Sequence, residues 1–214
     1  MRIVDISKAL RCGEEISCEI PAELPVYMGH ECEEYRFELR SHVGCYFETP
    51  GHLFRGGEMT CDVPVERLFM PALVVRLDGG RDGAIEADEI EGALHQEVRP
   101  GDAVIVDTQG QAARYFSRAC GAWMVARKVA LVAATLAKYD TGFVNSTGVF
   151  MEWFEAGIPI LAEIENVERI AHERVFLIVM PMKIERVCTA PCRAVVLDGE
   201  AGEVEGVESL LGGR

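Results

Sequence analysis

No apolar run in this 214-residue chain approaches the roughly 18 to 20 residues that a membrane span requires. The opening MRIVDISKAL also lacks the long apolar stretch of a secretory signal. The sequence therefore predicts a soluble, cytoplasmic protein. Basic residues are scarce, 21 against 35 acidic, and the resulting charge of −14 opposes attraction to phosphate backbones or anionic lipid. Neither nucleic acid nor a membrane is an expected partner. A Gly-x-Ser-x-Gly nucleophile turn, a P-loop and a Gly-x-Gly-x-x-Gly dinucleotide fingerprint are all missing. So is any CxxC pair, and the eight cysteines (12, 18, 32, 45, 61, 120, 188 and 192) are scattered along a chain with no export signal, so thiols are expected. Cys188 and Cys192 enclose a proline in CTAPC, which disfavours a zinc knuckle.

What is present is ample core material. With 49% hydrophobic residues and no repeat, low-complexity block or linker, residues 1–214 read as one domain, ending in an acidic, solvated tail from about residue 199. The stretch RIVDIS opens on a short strand, and YRFELRSHV (35–43) alternates apolar and polar residues like a half-buried strand delivering His42. The runs at 72–78, 102–108, 129–135, 175–180 and 193–198 are almost continuously apolar, as suits strands covered on both faces. Helical spacing of Ala112, Tyr115, Phe116, Ala119, Cys120 and Trp123 predicts a helix of about four turns with Trp123 in the core. Shorter helices are predicted at 88–96 and 163–173. Strands alternating with helices indicate α/β or mixed α+β architecture.

Two of the five histidines bracket HVGCYFETPGH, residues 42 to 52. In an extended strand His42 and Glu48 would stand about 20 Å apart, too far to share an ion. Gly44, Pro50 and Gly51 permit a bend. Given that bend, His42 and Glu48 could share a zinc or manganese ion while His52 takes a proton from water. A glycine-punctuated structural turn accounts for the same residues, and spacing alone leaves both readings open.

The segment resembles the HxGTHxDxPxH signature of the cyclase family of metal-dependent hydrolases, which includes kynurenine formamidase and isatin hydrolase. Further pieces resemble that family in the same order: IVDIS and PVYMG near the start, RPGDAVIVDT, RYFSRACGAWMVARKVALVAAT, then AGIPILAEIENV and MPMKIERVCTAPCRAVVLD. The resemblance implies a swivelling β/β/α domain with a mixed sheet and partly closed barrel, a homodimer or higher homo-oligomer, and divalent-metal hydrolysis of a small amide or lactam carbonyl. By position it implies His42 and Glu48 as metal ligands and His52 as the proton-transferring residue.

The departures from the signature are specific. Tyr46 stands where a second metal-binding histidine belongs, Cys45 replaces the threonine, and Glu48 replaces aspartate, which moves the carboxylate by about 1.5 Å. No histidine lies between His95 and His172, where the family places one. The family's later glutamate falls on Glu163 or, without a gap, on Ala162; only the first completes a set of His42, Glu48 and Glu163. His30, Glu31 and Cys45 are further donors nearby in sequence. Three functions compete: a metal-dependent hydrolase, a small-molecule-binding or structural oligomer without metal, and a metal-free enzyme using Glu48 with His52 or Cys45 as nucleophile.

Overall fold

The apolar runs form strands buried on both faces, as their composition predicts. The computed structural model describes residues 1–111, 113–142 and 144–211. Its elements follow in the order β1 (Arg2–Asp5), β2 (Ser17–Glu19), β3 (Val26–Tyr27), β4 (His30–Glu31), β5 (Arg36–Glu38), β6 (Tyr46–Glu48), β7 (Phe69–Arg76), β8 (Gly83–Ile85), α1 (Ala87–Ala93), β9 (Ala103–Asp107), β10 (Arg114–Phe116), α2 (Arg118–Ala126), β11 (Leu131–Ala134), α3 (Val149–Glu155), β12 (Ile160–Ala162), β13 (Arg174–Pro181), β14 (Thr189–Asp198) and α4 (Ala201–Leu211).

Seven strands close a mixed barrel in the order β14, β13, β7, β9, β11, β12, β6 and back to β14, while β1 adds to β14 outside the ring. The expected mixed α+β architecture is present, with the barrel fully rather than partly closed. Strands β7, β9, β11 and β12 run parallel, and the remaining pairings of the ring are antiparallel. Closure depends on β14: Thr189–Pro191 pair with β6, whereas Cys192–Leu197 pair with β13. Side chains then sort by parity into two cores. Phe47, Val74, Ile105, Leu131, Leu161 and Leu177 fill the barrel. Tyr46, Val75, Val104, Val132 and Ala162 face outward and pack under the helices with Ile90, Met124 and Trp153.

Several local expectations are corrected by tertiary context. Residues 114–116 are not the first turn of a helix but strand β10, paired in parallel with β8; α2 starts at Arg118, where the Ser117 side chain accepts a hydrogen bond from the Cys120 backbone N–H. Ala112, placed on that helix from spacing, lies outside the described residues. Trp123 is only half-buried: its Nε1 donates to Glu91 and Arg127 lies over its ring. The 35–43 strand shrinks to the exposed β5, paired with β2. Between 163 and 173 only a 3₁₀ turn, Val167–Arg169, forms, because Glu163 and Asn166 adopt left-handed backbone with φ of 54° and 59°. The acidic end forms helix α4, most of whose side chains are exposed; it buries Val204, and Glu203 pairs with the terminal amine. Finally, not every cysteine is a thiol. A turn at Gly13 (φ 83°) brings Cys12 and Cys18 into a disulfide.

Candidate active site

Sterics at three small residues shape the segment from His42 to His52. Gly44 has φ 62°, a left-handed conformation that favours glycine, and a Cβ there would have to displace the Leu10 side chain, so glycine suits the bend that folds His42 back over β6. The His42 and Tyr46 rings meet edge to face at 5.1 Å. Along β6 the strand period sends Cys45 and Phe47 into the barrel and Tyr46 to the helix side. Thr49 then anchors the chain: its N–H and hydroxyl donate to the Cys188 carbonyl at 2.9 and 3.0 Å, and the hydroxyl also reaches the Glu58 carbonyl. Pro50 opens a 3₁₀ turn, Pro50–His52, that returns His52 to Glu48. At Gly51 a Cβ would lie 2.8 Å from the Glu58 carbonyl.

The result is a convergence on one atom. His42 Nε2 and His52 Nδ1 lie 3.2 and 2.8 Å from the same Glu48 oxygen, Oε1, while Ser41 Oγ sits 3.0 Å from His42 Nδ1. Glu48 is 3% exposed. Burial by itself would raise its pKa, but the hydrogen bonds from His42 and His52 outweigh that and hold it lower. The bond to Glu48 raises His52, against burial, to about 9, so the ion-free protein carries an imidazolium there at neutral pH. Burial, reinforced by the Glu48 charge, lifts the Tyr46 hydroxyl well above the ordinary phenol range in the ion-free protein.

The ligating atoms of His42, Glu48 and His52 all lie within 4.8 Å of one another. Two imidazole nitrogens and a carboxylate oxygen suit zinc or manganese, whose bonds of about 2.0 to 2.2 Å set donors roughly 3.4 Å apart in a tetrahedron. The two histidine–Glu48 separations are slightly shorter because hydrogen bonds hold them, and the two nitrogens and one oxygen are donor types that suit a single divalent ion.

Glu163 does not join this group. The chain turns left-handed after β12, and its carboxylate accepts a hydrogen bond from Lys8 Nζ at 2.6 Å. On β12 it is Ala162 that pairs with Tyr46. Cys45 is buried inside the barrel, its sulfur 3.6 Å from that of Cys192, and so faces away from Glu48. His30 and Glu31 form the exposed strand β4. One residue at the site was set aside from sequence, as part of a disfavoured zinc knuckle with Cys192: Cys188, whose sulfur lies 3.9 Å from His52 Nδ1. No local pattern signals it, since only the β14–β6 pairing brings it there.

The model of the Cyclase family matches residues 5–141, well over half of the chain. None of the curated proteins compared matches the sequence. Among solved structures, the chain is similar to isatin hydrolase A from Labrenzia aggregata bound to benzyl benzoate, with TM-score 0.76 and 17% identity over 93% of this chain and 94% of that one. It is similar to an isatin hydrolase bound to the product analogue thioisatinate, with TM-score 0.76 and 19% identity over 92% of each chain. A predicted metal-dependent hydrolase from Bacillus stearothermophilus gives TM-score 0.74 and 17% identity over 92% of this chain and 98% of that one. At these identities the likeness is one of fold. The family match, the closed mixed barrel and the His42–Glu48–His52 cluster agree, and the chain belongs to the cyclase family.

Proposed function

We propose that this chain hydrolyses a C–N bond in a small amide or lactam, using a divalent ion held by His42, Glu48 and His52. The observation that carries this reading is the convergence of both imidazoles on one buried Glu48 oxygen. Zinc or manganese bound there supplies a Lewis acid for the carbonyl and a water of lowered pKa. Glu48 orients both rings, and Ser41 holds the outer nitrogen of His42. In the ion-free protein His52 donates its Nδ1 proton to Glu48, and its Nε2 has no hydrogen-bond partner among the described residues; once Nδ1 held the ion, that Nε2–H would be a donor for a reacting group rather than a base. Tyr46, protonated beside Glu48 in the ion-free protein, is a donor for a substrate oxygen. The lactam class is supported by the isatin hydrolases of the same fold.

Metal analysis of protein purified without added ion, beside Glu48→Ala, tests the reading. About one equivalent of zinc or manganese, lost in the variant, is expected. Metal below a tenth of an equivalent that reconstitution fails to restore sinks it. N-formyl anilides and small lactams are the substrates to screen, with His52→Ala beside the parent; equal rates remove His52 from its role.

A second reading has a specific observation behind it. Tyr46 and Ala162 occupy two positions where the family resemblance implies ligands, and Glu163 is tied to Lys8. A chain so altered would serve as a small-molecule-binding or structural oligomer without metal. On either reading we infer a homodimer or higher homo-oligomer in the cytoplasm. The apolar side chains exposed on the segment from Ile20 to Phe37 (Val26, Tyr27, Met28 and Phe37 among them) supply a surface for a second copy. No helix among the described residues is long and apolar enough to cross a membrane.

A further inference from the structure

Among the described residues one disulfide forms, Cys12–Cys18, and it lies on the path that carries the chain to His42. The path starts on the barrel. Ser7 bridges to Ile164 and its hydroxyl donates to the Ala194 carbonyl, Lys8 pairs with Glu163, and Leu10 packs against Gly44 in the bend that positions His42. Just beyond, Cys12 is bonded to Cys18 in β2, and in the β2–β5 register Cys18 stands opposite Phe37. Strand β5 ends at Glu38, and the exposed Arg40 and Ser41 lead directly to His42. Neither β2 nor β5 contains a fully buried residue, and a two-stranded ribbon without a core of its own is marginal in water. The disulfide ties the barrel-anchored segment covalently to the strand pair that delivers His42. It is also within reach of solvent: Cys12 is exposed, Cys18 is half-buried, and a cleft of about 550 Å³ opens beside them, lined by Glu15, Ser17, Cys18, Glu38 and Arg40.

We propose that Cys12–Cys18 is a reducible latch: closed, it holds β5 and the chain that follows so that His42 stands on Glu48, and opened, it releases them. A small dithiol opens it by thiol–disulfide exchange. Its thiolate attacks the exposed Cys12 sulfur, the Cys12–Cys18 bond breaks, and the dithiol's second sulfur resolves the mixed disulfide. Two electrons and two protons pass to the cysteines, which end as thiols, while the reductant ends as a cyclic disulfide. A small disulfide such as oxidised glutathione reverses the exchange. His52 is not on this path, because its 3₁₀ turn is tied to Glu58 and Cys188 through Thr49, so the latch bears on one imidazole of the pair. The consequence for an ion held at His42 rests on the hydrolase reading above; the release of the chain does not.

The test uses the full chain, equilibrated either with oxidised glutathione or with dithiothreitol and then freed of reagent under argon. Alkylation after denaturation should find Cys12 and Cys18 blocked in the first sample and free in the second. In the ion-free protein, amide exchange across residues 36–42 should be at least about fivefold faster once the disulfide is reduced, with the barrel strands unchanged. Zinc should bind the oxidised chain at least about tenfold more tightly than the reduced one, and re-oxidation should restore the difference. Cys12→Ser/Cys18→Ser should exchange and bind like the reduced parent in both samples, whereas Cys61→Ser should respond as the parent does. Free Cys12 and Cys18 in the first sample overturn the latch, as does equal exchange in the two parent samples. Faster exchange on reduction with unchanged zinc affinity overturns the hold on His42 and leaves the hydrolase reading standing. No zinc in either sample, together with faster exchange on reduction, sinks the hydrolase reading and upholds the latch.

Discussion

Tyr46 faces Ala162 across the β6–β12 pairing, and both side chains lie in the core beneath the helices. A phenol thus stands where the family resemblance implies an imidazole, facing a methyl group at one of the two positions to which it assigns a carboxylate. Restoring them makes a prediction. Tyr46→His combined with Ala162→Glu should tighten zinc binding by at least about tenfold, 1.4 kcal/mol, measured by competition with a chromophoric chelator. Unchanged affinity would mean that this pair of positions does not face the ion.

The bend at Gly44 should disfavour a side chain. Its φ of 62° and the 2.4 Å approach to Leu10 penalise Gly44→Ala by about 1 to 3 kcal/mol. Urea unfolding would read that loss. Because His42 is carried by the bend, metal binding should fall more than stability alone accounts for.

His52 should titrate far from an ordinary histidine. In the ion-free protein its pKa is raised to about 9 by Glu48, from 6.5. The pair's contribution to stability is therefore complete below pH 6.5 and lost as pH rises through 9. An NMR titration of the His52 ring protons should show a midpoint near 9 that returns toward 6.5 in Glu48→Gln. A midpoint near 6.5 in the parent would show that the 2.8 Å contact does not persist in solution.

At the opposite pH extreme, Asp198 governs. Burial would raise its carboxyl, but backbone N–H groups of Ala171 and His172, with the His172 and Arg2 side chains, hold it at about 2 against an ordinary 3.8. Its contribution to stability is present above pH 3.8 and lost as pH falls through 2. The urea midpoint of the parent should drop across that window, whereas Asp198→Asn should start lower at neutral pH and drop less.

Removing Trp153 should cost about 3 to 5 kcal/mol. Its ring is fully buried against Phe116, Tyr139 and Phe150, and Tyr139 donates from this cluster to the Leu161 carbonyl on β12. Denaturant melts of Trp153→Ala would measure this directly.

The sequence by itself determined the strands of the barrel wall, because segments such as DAVIVDT are apolar at every position from Ala103 to Val106, and a sheet buried on both faces uses such a run. It made a meeting of His42 with Glu48 possible, since Gly44, Pro50 and Gly51 permit a local bend over residues close in the chain, but it left a structural turn equally open. Where local periodicity competed with long-range pairing it misled: Tyr115 and Phe116 have helical spacing, yet parallel pairing with β8 makes them strand. The two cores, the departure of Glu163 toward Lys8 and the arrival of Cys188 beside His52, 136 residues away, were decided only by the tertiary structure. Each depends on which strand edges meet when β14 closes the barrel on β6, and pairing between distant edges leaves no periodicity in either segment to read.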